Sequence, residues 1–169
     1  MSENTVILNG NIVSFAADEA DAASGETDIT PGHFIDLNSN GEANLQSGEA
    51  TTGRGLMATL PRDAFGRGKS DKYNTDDDGE RVHYAHVPVG GEFDGFLAAG
   101  GDLTTAANAN VTQNDLLVET DNGALANFSS AETSGTPEGA LYRAQESVDN
   151  SGASAGVDNQ VRIEAERIA

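Results

Sequence analysis

Asn74-Thr75-Asp76-Asp77-Asp78-Gly79-Glu80 is the stretch whose residue types and spacing come nearest to chemistry. Side-chain oxygens at Asn74, Asp76 and Asp78, followed by a glycine, can begin to wrap a hard cation as the first half of a calcium loop does. The position that would supply the bidentate glutamate of an EF-hand is Ala85, so the motif stops halfway. Two readings stay open: a calcium or sodium ion held by Asn74, Asp76 and Asp78, or a solvated acidic turn. Neither makes a cofactor a requirement. His83 and His86 would share one face of a helix and could then bind a metal, but on the strand that Val82, Tyr84 and Val87 imply they point to opposite faces. His33 follows Pro31-Gly32, and no neighbour in sequence marks it as a general base.

No nucleophile elbow, phosphate-binding loop, dinucleotide fingerprint or zinc-protease helix occurs. The absence of cysteine excludes disulfides, thiolate zinc sites and a cysteine nucleophile. Carboxylates are too numerous for any pair to stand out as a glycosidase dyad, and with no Trp, 3 Tyr and 6 Phe the chain is short of the aromatics that a sugar-cleaving groove uses. The residues therefore point away from an enzyme.

A second candidate is electrostatic. Only nine Lys and Arg answer 28 Asp and Glu, for a formal net charge of −19 over 169 residues. Five of those bases (Arg54, Arg62, Arg67, Lys69 and Lys72) fall between positions 54 and 72, against Asp63 and Asp71 alone, for a local balance of +3. Arg67, Lys69 and Lys72 could meet an acidic partner, or could form an exposed loop that offsets nearby carboxylates. Elsewhere the carboxylate excess repels itself, a cost that molar salt removes by shortening the screening length to about 3 Å. The composition thus fits a halophilic protein and disfavours nucleic acid as a partner, since phosphates are bound by basic patches. No apolar stretch approaches the roughly 20 residues that span a bilayer, and the N-terminus shows no secretory signal.

The elements that must carry these groups read almost entirely as β. Val6-Ile7-Leu8 and Ile12-Val13 flank Asn9-Gly10, a hairpin signal. Short apolar runs at 33–37, 81–89, 93–98 and 116–119, and the alternation of Val161, Ile163 and Ala165 with Arg162, Glu164 and Glu166, read as strands. The acidic, Ala-rich residues 18–25 read as a connection. Residues 136–146 fit a Pro-capped helix and an alternating strand equally well. Ile29-Thr30-Pro31-Gly32-His33-Phe34-Ile35, then Asn40-Gly41, aligns at a constant offset of 82 with Val111-Thr112-Gln113-Asn114-Asp115-Leu116-Leu117, then Asn122-Gly123. Duplication and generic strand-and-turn grammar both account for that echo.

The run from Ala107 to Leu117, then Asp121-Asn122-Gly123-Ala124-Leu125, then Gly139 to Glu146 and finally Val161 to Glu166, resembles the head decoration proteins of tailed viruses. In that family a small-residue stretch, Val-Thr-x-Gly-Asp-Leu-Leu, an Asp/Asn-Gly turn, an Ala-rich strand and a charged closing strand follow in order. Asn114 stands where the pattern prefers Gly, whereas Thr30-Pro31-Gly32-His33-Phe34 keeps it. The resemblance, over residues 28–60 and 82–169, implies a mostly β fold: a compact β-barrel or β-tulip-like single domain with long acidic loops. Residues 1–27 would be an N-terminal arm and acidic linker, and 28–169 the decoration domain, with a loop insertion near 61–81. It implies a virion protein without catalytic activity, made in the host cytoplasm and placed on the outer surface of an HK97-type icosahedral capsid. There it would stabilise the shell as a homotrimer at local threefold positions, in contact with the major capsid protein. Together with the acidic composition, the resemblance implies a virus of haloarchaea. Arg67, Lys69 and Lys72 are then the candidate capsid contact, and the segment through Phe15 a strand or arm that docks on a neighbour. A tail-tube subunit and a halophilic carbohydrate-binding module with a bound cation are the alternatives.

Overall fold

Short runs of β-branched, aromatic and small apolar residues, punctuated by Gly and Asn, leave no room for long helices, and the computed structural model contains strands and 3-10 turns. It describes residues 7–9, 18–47, 55–60, 71–73, 80–128 and 139–169. The first six strands are β1 (Ile7–Asn9), β2 (Asp18–Ala20), β3 (Ile35–Leu37), β4 (Ala43–Leu45), β5 (Leu56–Ala58) and β6 (Val82–His86). The remaining seven are β7 (Glu92–Leu97), β8 (Asn110–Val111), β9 (Leu116–Thr120), β10 (Ala124–Asn127), β11 (Leu141–Ala144), β12 (Val148–Asp149) and β13 (Val161–Arg167).

Five of these close a barrel in the order β7-β10-β9-β11-β13, with β13 pairing back to β7. Closure follows from alternation: Phe93, Leu97, Leu117, Leu125, Tyr142, Ala144, Ile163 and Ala165 all point into one buried cluster. β7 and β10 run parallel and meet only at Leu97↔Leu125, and β1 covers the other end of that edge at Phe93 and Glu92.

The N-terminal half traces the same ring. Sheet β2-β6-β5 and hairpin β3–β4 are joined by two single-residue bridges, Phe34↔Met57 antiparallel and Ala22↔Ala43 parallel, around a second buried cluster that includes Ile29, Ile35, Leu56, Val82 and Tyr84. The correspondence holds residue by residue. Pairs Ile35↔Leu45 and Leu37↔Ala43 become Leu117↔Asn127 and Glu119↔Leu125, each 82 positions on. Asp18↔Tyr84 and Ala20↔Val82 match Phe93↔Ala165 and Gly95↔Ile163. Leu56↔His86 and Ala58↔Tyr84 match Tyr142↔Arg167 and Ala144↔Ala165. The two bridges match Leu116↔Arg143 and the parallel Leu97↔Leu125. Even the entry turns agree. The amide of Thr30 donates to His33 Nδ1 (3.0 Å) and that of Thr112 to Asp115 Oδ2 (2.8 Å), with return bonds His33 N–H to Thr30 O and Asp115 N–H to Thr112 O. One five-strand ring is therefore built twice, side by side, within a single compact domain.

Two segments take a form the linear pattern did not settle. The acidic stretch read as a connection supplies β2, because Ala20 is buried against β6 and Ala22 is small enough to lie against Ala43. The ambiguous 136–146 stretch, described from residue 139 onward, holds strand β11, with Tyr142 and Ala144 buried and Arg143 exposed between them. The hairpin expected at Asn9-Gly10 falls partly outside the described residues.

The rings meet at their hairpins. Phe34 N–H donates to Gly123 O (2.8 Å) and Gly123 N–H to Gln46 O (3.1 Å). Gly123 has φ +67, and a Cβ there would sit 2.5 Å from Phe34 O, so only glycine permits this approach. Phe34 leaves its own ring to enter the barrel core, packing on Phe93 (5.6 Å) and Tyr142 (5.2 Å).

Candidate functional site

A solvent-facing cleft of about 280 Å³ opens where the Thr30–His33 turn meets β7 and the start of β13. His33 forms its floor at 1% exposure. Since Nδ1 accepts from the Thr30 amide, the hydrogen-bond pattern assigns the proton to Nε2, which donates to Gln160 Oε1 (2.9 Å). Gln160 Nε2 in turn donates to Asn122 O (3.1 Å). The imidazole lies against Phe96 (4.1 Å between ring centres), and the Arg162 guanidinium sits 4.0 Å from the same ring centre while its Nη1 donates to Asp94 O (3.2 Å). At the rim, Lys72 Nζ bonds Asp28 Oδ1 and Asp158 Oδ1, both at 2.8 Å.

The electrostatics follow from burial and pairing. Burial pushes His33 down to about 4, against a weaker upward pull from its bond to Gln160. The imidazole is thus neutral, with both nitrogens committed to internal partners, and it acts as a strut between the rings rather than as a base aimed at a ligand. Hydrogen bonds to Asp158 and then Asp28 raise Lys72, and the Lys72 bond holds Asp158 below the usual carboxylate range. Burial draws Arg162 downward, although a guanidinium stays protonated throughout. Apolar Val157 and Phe96 beside paired charges make a recess suited to seating a partner's side chain or another small polar group.

Among the described residues this cleft contains Lys72, a sequence candidate whose charge is shared between two carboxylates of the same chain, and His33. Asn74, Asp76, Asp78, Arg67 and Lys69 lie outside the described residues. Among the described residues no group of three or more His, Asp or Glu is placed to hold a metal. His83 and His86 fall on strand β6 as expected, His83 with Nε2 3.6 Å from Glu19 Oε1 and His86 exposed. Phe96, Gln160 and Arg162 carry no motif; 127 positions separate Gln160 from His33, and only the strand pairing brings them together. The alternation of Val161, Ile163 and Ala165 was the one available signal, since it places Arg162 on the face away from the core.

No protein-family model matches the chain, and no curated protein matches it either.

Proposed function

We propose that the chain is a structural virion protein that binds the outside of the icosahedral capsid of a haloarchaeal virus and stabilises it, as a homotrimer at local threefold positions in contact with the major capsid protein. One observation carries this reading. The segments that resemble head decoration proteins, 107–117, 121–125, 139–146 and 161–166, hold β8, the start of β9, the turn into β10, β11 and most of β13, so much of the resemblance falls on strands of the barrel. The acidic composition supports a saline setting, in which long-range attraction between charges is screened and docking depends on apolar contact and main-chain pairing. Lys72 is occupied in bracing the cleft, which leaves Arg67 and Lys69 as the cleaner positions for testing a basic contact.

Imaging of particles purified in molar salt tests the assignment. Density for this chain on the outer shell at threefold positions is expected, together with a trimer mass by light scattering in the same salt. Location in the tail would reassign it to the tube, and location in neither would overturn the virion reading.

A further inference from the structure

We propose that Glu119 is a proton-operated latch on the seam between the two rings, closed while its carboxyl holds a proton and loosened when the proton leaves.

The geometry is that of a carboxyl shared by both rings. Glu119 lies on β9 at 1% exposure. Its Oε1 accepts from Tyr142 Oη of the barrel (2.5 Å) and from the backbone N–H of Gly55, the residue that leads into β5 of the N-terminal ring (2.9 Å). Gly55 is held there by its shape: φ is +69, and a Cβ would come within 2.6 Å of Arg167 Nη1 and 3.3 Å of Tyr142 Oη. Tyr142 extends the connection, because its ring packs on Phe34 from the N-terminal ring and on Phe93 from the barrel. A single oxygen atom therefore joins both halves.

The fold itself does not ask for a carboxyl here. In the N-terminal ring the positions equivalent to Glu119 and Tyr142 are Leu37 and Leu56, which pack against an ordinary apolar core. Burial pushes Glu119 up to about 7, against the Tyr142 and Gly55 hydrogen bonds, which favour the ionised form. Of the charged groups that face it, Asp36 on β3 adds to the rise and Arg167 on β13 opposes it, and Tyr142 on β11 is itself pushed far upward and stays neutral. Ionisation leaves a charge with almost no access to water, and parting the seam restores that access.

The buried carboxyl titrates near 7 and a solvated one near 4.5. For an opening that parts the Glu119–Gly55 contact and leaves His33 buried, the equilibrium therefore rises about tenfold per pH unit across that interval and levels off above it, about 70-fold in all between pH 5 and pH 8.

Hydrogen exchange at the Gly55 amide, corrected for the intrinsic base-catalysed rate and measured in constant molar salt, reads this directly. In the unsubstituted protein, protection at Gly55 is expected to fall about 70-fold from pH 5 to pH 8. Glu119→Gln keeps the acceptor and cannot ionise, so its protection should be independent of pH. Tyr142→Phe removes a donor that favours the charged form and should move the midpoint upward. The Glu119 carboxyl carbon, followed by NMR in the unsubstituted chain, should titrate with the Gly55 midpoint. Flat protection in the unsubstituted protein, an unchanged slope in Glu119→Gln, or a Glu119 midpoint near that of an exposed glutamate would each overturn the latch.

Discussion

The N-terminal ring and the C-terminal barrel share a backbone plan and assign opposite duties to equivalent positions. Phe34 and Met57 are fully buried and belong to the barrel's core, while their counterparts Leu116 and Arg143 face solvent, Leu116 at 39% exposure. Leu37 and Leu56 are apolar, whereas their counterparts Glu119 and Tyr142 form a buried polar pair. Phe93 fills the barrel, but Asp18, at the same register position in the N-terminal ring, is exposed. Register is thus set within each ring by pairing and turn geometry, and side-chain identity is set by what lies outside it. The N-terminal ring leans on the barrel through Phe34 and Met57, and the barrel presents their counterparts, Leu116 and Arg143, to solvent.

Truncation at matched positions should separate the halves most strongly. Phe93→Ala removes the ring that packs edge-on to both Phe34 and Tyr142 and should cost about 3–5 kcal/mol, because it empties the core that both halves share. Asp18→Ala, at the equivalent place on β2, should change stability by about 0.5 kcal/mol or less. Urea unfolding at fixed molar salt checks both. Equal losses would mean that the exposed β2 position bears as much packing as its counterpart.

Acid should divide the halves next. His33 is buried neutral, with its proton affinity lowered to about 4 from an ordinary 6.5. Between those values the unfolded chain binds a proton that the folded one refuses, so the His33 contribution is complete above pH 6.5 and is lost as pH falls toward 4, by about 3 kcal/mol. Glu119 acts in the other direction. Its raised affinity gives stability that is complete below pH 4.5 and lost as pH rises through 7. The two slopes oppose each other across the mildly acid range. His33→Asn, which offers the Thr30 amide an oxygen much as Asp115 serves Thr112, should remove one of them. Stability of that variant should then decline with rising pH between 4.5 and 7, and a variant-minus-native difference that is flat over this range would refute the opposition.

The legibility of these features in the sequence was uneven, for physical reasons. Strand content and the paired turns could be read locally, since alternation and positive-φ residues such as Asn122 and Gly123 act over a few positions. The echo between Thr30–Ile35 and Thr112–Leu117 pointed to the repeat. Its full extent was hidden because the spacing between counterparts is not constant: Ala22 answers to Leu97, Ala43 to Leu125 and Ala58 to Ala144, so loop lengths shift the alignment by several residues. β2 was missed because its residues are acidic and small, and only pairing to β6 makes them a strand. Glu119 was hidden among 28 carboxylates, with nothing in its neighbours to show that Gly55 and Tyr142 converge on it.

The smallest expected contrast concerns the entry turns, where the two halves place different residues at one backbone position. Gly32 has φ +104 and Asn114 has φ +76, and both lie in the bend that carries the chain from a Thr into the hairpin. Asparagine tolerates that region at modest strain, so Asn114→Gly exchanges a small relief of strain for added chain entropy and should shift stability by less than about 1 kcal/mol. Gly32 is under a second constraint. A Cβ there would stand 2.2 Å from Arg162 Nη1 and 2.8 Å from Asp94 O, a hydrogen-bonded pair of which Arg162 lines the cleft. The guanidinium could swing away only by giving up its bond to Asp94 O and its seat against Phe96, and the backbone oxygen has no such freedom. Gly32→Ala should therefore cost about 1–3 kcal/mol and widen the cleft, seen as faster solvent exchange at Thr30. If both substitutions prove equally mild, the repeated turn rather than the contact with β13 is what selects glycine at position 32.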